Sequence, residues 1–255
     1  MLPHSIELIP RSEASLEADL LRIRESLPGF DTVNIPDLSR FALRSWDACR
    51  MARGHVSRAI PHLRAMDFDL MGAQRAPLSL DLLKQRILEA GLEEVIVVQG
   101  DTPDGCAPRG VTTSVQLIRA LRETLPDLTI FAALDPYRAS PARECAYARE
   151  KREAGADGFF TQPFFDLRYQ DVWADLLAGE RVYWGVSPLM AASTRRYWER
   201  RNLAFLPRDF EPTLAWNRCY AKRAIAWAAE CQASLYFMPI RVDLVEILGG
   251  LTEGS

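Results

Sequence analysis

Three polar side chains stand where apolar, strand-like segments of the sequence end. The segment EVIVVQGDTPDG places Asp101 just beyond a run of β-favouring residues and a glycine, and GFFTQ ends in Gln162. Near the start of the chain, Glu7 lies between two apolar residues in SIELIP. A polar residue at the end of a buried strand belongs either to a surface loop or to a site.

Glu7 has the chemistry of a proton donor if it is buried. Side chains alternate between the two faces of a strand, so Glu7 lies on the face opposite its apolar neighbours. An ion pair or a solvated edge position explains such a residue as well as catalysis does. In a partly apolar cavity, however, desolvation would raise the pKa of the carboxyl group and suit it to general acid catalysis.

Gln162 has the donor and acceptor pattern of a residue that binds a heterocycle. An amide buried in a core must satisfy up to four hydrogen bonds, which makes it an unusual core residue. The edge of a pterin or flavin offers matching groups. Phe164 and Phe165 follow closely and could stack on such a ring, although core packing is the commoner use of phenylalanine. His62, in AIPHL, is compatible with a site residue and with a hydrogen-bonded histidine of the core.

The strands that must position these residues are short and regularly spaced. Apolar segments typical of strands occur at 5–9, 32–35, 59–63, 94–99, 128–134, 158–162, 182–187 and 234–240. Several are continuously apolar, as in strands that are buried on both faces. No G-x-G-x-x-G follows the first strand, which disfavours a dinucleotide-binding open sheet. The pattern predicts one domain over residues 1–255, folded as a (β/α)₈ TIM barrel.

Helical periodicity appears between the strand segments. The predicted helices cover about 16–27, 80–88, 141–154, 169–177, 191–201 and 212–231. Asp166 is the expected N-cap of the fourth of these helices, and Gly91 the residue that ends the second. In a barrel of this kind, catalytic residues lie at the carboxyl ends of the strands, where the polar residues above are found.

Composition excludes several classes of protein. The 255 residues carry a formal net charge of −3, so no global basic field favours nucleic acid or an anionic membrane. The arginines at 195–196 and 200–201 have the spacing of a solvated helix face. The five cysteines are scattered without a C-x-x-C pair, which predicts reduced thiols and no zinc site. No signal peptide or apolar run of about 20 residues is present, so we expect a soluble, cytoplasmic chain.

The order of several motifs resembles the methylenetetrahydrofolate reductase family. The motifs are SIELIP, PHLRAMD (61–67), VVQGDTP (97–103), EAGADGFFTQPFFD (153–166), WGVSPL (184–189), NLAFLP (202–207) and YFMPIRVDL (236–244). They span nearly the whole chain, and the Thr161–Asp166 segment is the most specific. The resemblance implies a (β/α)₈ barrel that binds FAD and reduces 5,10-methylenetetrahydrofolate to 5-methyltetrahydrofolate with NADH or NADPH.

The resemblance also implies roles for individual residues. Glu7 matches the general acid, and Asp101 matches the acidic residue between flavin and pterin. The positions that match substrate contacts are Gln162, Arg241 and Phe164. The positions that match the flavin site are His62, Lys151 and the backbone of Gln99 and Gly100.

The sequence departs from the family pattern mainly on the flavin side. Gln99 stands where the family usually has arginine, and LDPYRAS (134–140) lacks the histidine that usually follows strand 5. Four readings therefore stay open: a reductase that uses FAD, a reductase that transfers hydride directly from nicotinamide, a tetrahydrofolate-binding methyltransferase, and an accessory subunit. A homo-oligomer and a complex with a partner subunit are both compatible with the sequence.

Overall fold

The strands form a closed parallel barrel. The computed structural model describes residues 4–70, 78–100, 112–239 and 242–251, and within them eight strands pair in chain order, with β8 returning to β1. The strands are β1 (Ser5–Glu7), β2 (Thr32–Ile35), β3 (Arg58–Arg64), β4 (Glu94–Val98), β5 (Thr129–Leu134), β6 (Gly158–Phe164), β7 (Val182–Val186) and β8 (Ser234–Phe237). The predicted (β/α)₈ barrel is confirmed.

Helices connect the strands. They are α1 (Glu13–Ser26), α2 (Ser45–Ala52), α3 (Leu80–Glu89), α4 (Ser114–Thr124), α5 (Pro141–Glu153), α6 (Leu167–Leu176), α7 (Ala192–Arg201), α8 (Leu214–Glu230) and α9 (Leu244–Leu248), with a 3₁₀ turn at Ala65–Asp67. All six predicted helices are present with similar bounds. Helices α2, α4 and α9 were not predicted individually.

Local signals in the sequence explain where two of these helices begin or end. The carboxylate of Asp166 accepts a hydrogen bond from the backbone N–H of Arg168 at 2.8 Å, so Asp166 caps α6 as predicted. Gly91 follows α3 with a φ of +60°, a conformation that glycine adopts without strain. Both features fix the direction in which the chain enters or leaves the barrel wall.

Two apolar layers lie on the two faces of the barrel wall. The larger layer lies between the strands and the helices and includes Ile6 and Leu8. The smaller cluster fills the barrel interior and consists of Ile60, Ile96, Phe131, Phe160, Tyr183 and Tyr236. Because Ile6 and Leu8 are in the outer layer, Glu7 between them faces the interior, as strand alternation predicts.

An ion pair closes the amino-terminal end of the barrel. Arg58, the first residue of β3, donates hydrogen bonds to the Glu94 carboxylate at 2.7 and 2.9 Å. The same guanidinium donates to the Tyr183 hydroxyl at 2.8 Å. With that end filled by bonded side chains, access to the interior is left to the carboxyl ends of the strands.

Candidate functional site

The carboxyl ends of β1, β2 and β3 bring three polar side chains together. Asn34 donates a hydrogen bond to Oε2 of Glu7 over 3.2 Å, and its Nδ2 lies 3.0 Å from Nε2 of His62. Glu7 and His62 themselves approach to 4.0 Å. Pairing of the strands in register places Glu7 beside Asn34, which explains why these short side chains meet.

Burial sets the protonation of this group. Glu7 is 7% exposed, and its burial raises the pKa of the carboxyl group to about 7, against a smaller lowering by the Asn34 hydrogen bond. Burial lowers the pKa of His62 to about 3. At neutral pH, therefore, a substantial fraction of Glu7 carries its proton, and His62 is a neutral imidazole.

A tyrosine lies below the carboxyl group in the barrel interior. The Tyr236 hydroxyl donates a hydrogen bond to the backbone carbonyl of Thr161. Burial, together with the carboxyl groups of Glu7 and Asp135, raises the pKa of Tyr236 well above its usual range. Tyr236 therefore stays neutral and joins β8 to β6 beneath the mouth of the barrel.

Gln162 lies near the carboxyl end of β6 and is half-buried. Within the part of the chain that the structure describes, its side-chain amide forms no hydrogen bond with another residue. Asn217, also an amide, contrasts with it: it bonds to both backbone polar groups of Leu189 and to the carbonyl of Thr213. Gln162 thus has the unused donors and acceptor that the sequence predicted for a ligand-binding residue.

Phe164 lies elsewhere than expected. Its ring is fully buried in the layer between strands and helices, with the Trp184 ring centroid 5.7 Å away. The register of β6 against β7 shifts between Phe160 and Pro163, which moves Phe164 from the interior face to the outer face. The prediction that Phe164 contacts substrate is therefore not supported.

Gly100 forms a tight turn at the end of β4. Its φ is +86°, and a Cβ atom there would lie 2.7 Å from Sδ of Met66 and 3.0 Å from Nε of Arg64. Only glycine fits both the backbone conformation and the space. The neighbouring Asp101, as well as Arg241 after β8, lies outside the described residues.

Two side chains near the positions that match the flavin site have partners within the chain. Gln99 accepts a hydrogen bond from the backbone N–H of Ser114 at 2.8 Å and donates to the carbonyl of Thr112 at 3.3 Å. Lys151 is buried and donates to the carbonyl of Ala133 at 2.6 Å, with its ammonium 4.0 Å from the Tyr147 ring centroid.

Burial also lowers the pKa of the Lys151 amine to about 8, so the amine loses its proton at a lower pH than an exposed lysine does. The Nε2 atom of His62 is directed at Asn34 instead of a cofactor. These contacts join strand to helix, or strand to strand, and they occupy Nε2 of His62 and one donor of Lys151. The assignment of FAD to these residues therefore stays a prediction of the family resemblance.

Sequence reasoning missed several polar residues at the mouth. Asn34 is a polar residue within the short apolar strand TVNI, just as Glu7 is within SIELIP. After β2, buried Asp37 pairs with Arg44, and Arg44 also approaches Asp67 at 3.5 Å. After β5, Asp135 is partly buried, which raises the pKa of its carboxyl group. All four of these charged residues lie outside the predicted strands and helices, where no periodic pattern marks a functional position.

A cavity of about 320 Å³ adjoins Glu7 on the side of β1 and β8. Its charged lining residues come from the β1–α1 loop, α1 and the segment before α9: Arg11, Asp19, Arg22 and Asp243. Arg22 and Asp243 form an ion pair across it. Its volume is at the lower end of the range for small-molecule sites.

Two other classes of site are absent from the described residues. No cluster of three or more histidine, cysteine, aspartate or glutamate side chains there has the arrangement of a metal site. None of the helices described is both long enough and apolar enough to span a bilayer.

The fold and this site define a (β/α)₈ barrel protein with a buried carboxyl group of raised pKa at the carboxyl ends of the strands. Residues 39–188, more than half of the chain, match the family described as methylenetetrahydrofolate reductase, and the chain belongs to this family. The resemblance found in the motifs is thereby confirmed, and it makes the protein a folate-related enzyme. The match covers His62, Gln99 and Gln162, whereas Glu7 and Asn34 lie before it.

Solved structures share the barrel at low sequence identity. One is an uncharacterized protein from Clostridium thermocellum that binds two copies of 5-methyl-5,6,7,8-tetrahydrofolic acid; it is 11% identical, with 96% of this chain and 92% of that chain covered and a TM-score of 0.58. Another is 2,3-dimethylmalate lyase, 13% identical, with 92% and 74% covered and a TM-score of 0.54. At these identities the likeness shows the fold alone.

Proposed function

We propose that the protein interconverts 5,10-methylenetetrahydrofolate and 5-methyltetrahydrofolate, with reduced nicotinamide as the electron donor. The observation that carries the proposal is the buried Glu7 carboxyl at the barrel mouth, whose pKa of about 7 keeps a proton available near neutrality. Membership of the methylenetetrahydrofolate reductase family supports the choice of substrate. So does the folate bound by the Clostridium thermocellum protein with the same fold.

Glu7 supplies the proton that opens the folate ring. In its neutral form it donates to N10 of the imidazolidine ring, the bond from N10 to the methylene carbon breaks, and an iminium forms at N5. A hydride then adds to that methylene carbon and completes the methyl group. The Glu7 carboxylate, held by Asn34 at 3.2 Å, regains its proton from water.

Other residues at the mouth bind and orient the folate. Gln162 offers an amide without a partner among the described residues to the edge of the pterin. By the family resemblance, Asp101 matches the acidic residue beside the pterin, and Arg241 matches a position that contacts folate. His62 is a neutral imidazole and so places no positive charge beside Glu7. A positive charge there would lower the pKa of Glu7 and make it a poorer general acid.

The hydride comes directly from the reduced nicotinamide in this proposal. FAD is the carrier that family membership leads one to expect, but Lys151 and Nε2 of His62 already have partners within the chain, which favours direct transfer. Direct transfer balances without a flavin, because NAD(P)H, the folate and one proton give NAD(P)⁺ and the methyl product. None of the described residues has to be oxidised or reduced in this reaction.

An isotope experiment distinguishes these routes. The purified protein is incubated with methylenetetrahydrofolate and NADH or NADPH carrying deuterium at the transferred C4 position. We expect turnover by protein that shows no flavin absorption band, with the deuterium retained in the product methyl group.

Two other results would change the proposal. A flavin retained through purification, with deuterium lost to solvent, would overturn direct transfer while keeping the reductase assignment. Absence of turnover with either nicotinamide, also after addition of FAD, would overturn the reductase and favour a methyltransferase or an accessory subunit.

A further inference from the structure

Asn34 occupies the centre of the polar group at the mouth of the barrel. It is completely buried on β2 and pairs in register with Glu7 on β1 and Ile60 on β3. Its amide contacts the side chains of Ser5, Glu7 and His62. No other described side chain bonds to both the proposed acid and the neighbouring histidine.

The Ser5 hydroxyl fixes the direction of the amide. It donates a hydrogen bond to Oδ1 of Asn34 at 2.7 Å, which leaves Nδ2 directed at the other two partners. Nδ2 has two protons: one is donated to Oε2 of Glu7, and the other lies 3.0 Å from Nε2 of His62. His62 accepts this bond only as a neutral imidazole with its proton on Nδ1, in agreement with its lowered pKa.

We propose that Asn34 is a positioning residue that aims the Glu7 carboxyl at the folate and stabilises the carboxylate after proton transfer. This inference rests on the proposed function, in which Glu7 is the general acid. Ser5 acts through Asn34 by holding the amide in the required orientation. His62 completes the arrangement as the second acceptor of the amide.

Two titratable groups face Glu7 from the surrounding strands, His62 on β3 and Tyr236 on β8. The charged residues Arg11, Asp19, Arg22 and Asp243 line the cavity that Glu7 adjoins. The hydrogen bond from Asn34 lowers the pKa of Glu7 against the larger effect of burial. Removing its donor should therefore raise that pKa further.

The first test measures the Glu7 carboxyl directly and does not require turnover. The infrared band of the protonated carboxyl is assigned by its loss in Glu7→Gln and is followed against pH in the parent and in Asn34→Leu, which keeps the branched shape. We expect the midpoint to rise by about one pH unit in Asn34→Leu. Thr32→Val, on the same strand face one layer below, is the control and should leave the midpoint unchanged.

The second test measures the reaction. We expect Asn34→Leu to lower kcat for methylenetetrahydrofolate by about 10- to 100-fold, with the alkaline limb of the pH profile moved upward and KM nearly unchanged. Ser5→Ala should have a smaller effect that disappears in the Asn34→Leu background, because Ser5 acts through Asn34.

The outcomes separate this inference from the proposed function. An unchanged carboxyl midpoint in both Asn34→Leu and Ser5→Ala would overturn the role of Asn34, whatever the enzyme does. Parental kcat with a parental pH profile in Asn34→Leu would overturn it as well. A raised midpoint in protein that never turns over folate would sustain the control of Glu7 by Asn34 and refute the reductase. If Asn34→Leu does not fold, Ser5→Ala carries both measurements.

Discussion

Nε2 of His62 lies 4.0 Å from Oε2 of Glu7, and yet the two residues do not form an ion pair. Burial raises the pKa of Glu7 to about 7 and lowers that of His62 to about 3. Glu7 is therefore largely neutral over the pH range in which His62 begins to be protonated, and His62 is neutral where Glu7 ionises. The contact therefore joins a Glu7 carboxyl group of raised pKa to a neutral His62, and not a carboxylate to an imidazolium.

The raised pKa of Glu7 predicts how stability depends on pH. A buried carboxyl whose folded-state pKa is above its ordinary value of 4.5 favours folding fully below that value, and the contribution is lost as pH rises to about 7. Between these limits we expect the unfolding free energy of the parent to fall by about 3 kcal/mol relative to Glu7→Gln.

Denaturant unfolding of both proteins at several pH values measures this difference. Glu25→Gln, which removes an exposed carboxylate from α1, is the matched control and should follow the parent. Stability curves of the parent and Glu7→Gln that run parallel from pH 4.5 to 8 would show that Glu7 is not held in a desolvated site.

The turn at Gly100 predicts a difference between two glycine substitutions. Gly100 and Gly179 have nearly the same backbone conformation, with φ of +86° and +85°, but only Gly100 has atoms close to the position of a Cβ. We expect Gly179→Ala to cost about 1 kcal/mol for the left-handed backbone, and Gly100→Ala about 1 kcal/mol more. Thermal or denaturant unfolding measures both, and equal losses would mean that Met66 and Arg64 do not restrict this turn.

Gln162 should matter for binding and hardly for stability. Because its amide has no partner among the described residues, Gln162→Ala should change the unfolding free energy by less than about 0.5 kcal/mol. In the proposed reaction the same substitution should raise KM for the folate by about 10-fold, since one amide pair with the pterin is lost. Asn217→Ala, which removes a fully bonded amide, is the contrasting variant and should cost about 2 kcal/mol or more. A large stability loss in Gln162→Ala with unchanged KM would make it a structural residue.

The barrel and the inward direction of Glu7 could be predicted from the sequence because both follow from strand alternation and spacing. Phe164 could not be placed correctly. Regular strand alternation from Phe160 would place Phe164 on the interior face. The register shift between Phe160 and Pro163 places it on the outer face, and no pattern in the sequence indicates that shift. The contact of Lys151 could not be predicted, because the partner of its amine is the backbone carbonyl of Ala133, on a different element. Asn34 carried a readable signal, an amide within a short apolar strand.

The central claim is that Glu7 gives a proton to the folate, and its most direct test is the rate of methylenetetrahydrofolate reduction by Glu7→Gln. We expect the rate to fall by about 10²- to 10⁴-fold, the usual contribution of a general acid, while 5-methyltetrahydrofolate still binds with near-parental affinity. In the parent, reduction should decline as pH rises through about 7, where Glu7 loses its proton. Reduction by Glu7→Gln at the parental rate, with the parental pH dependence, would contradict the account.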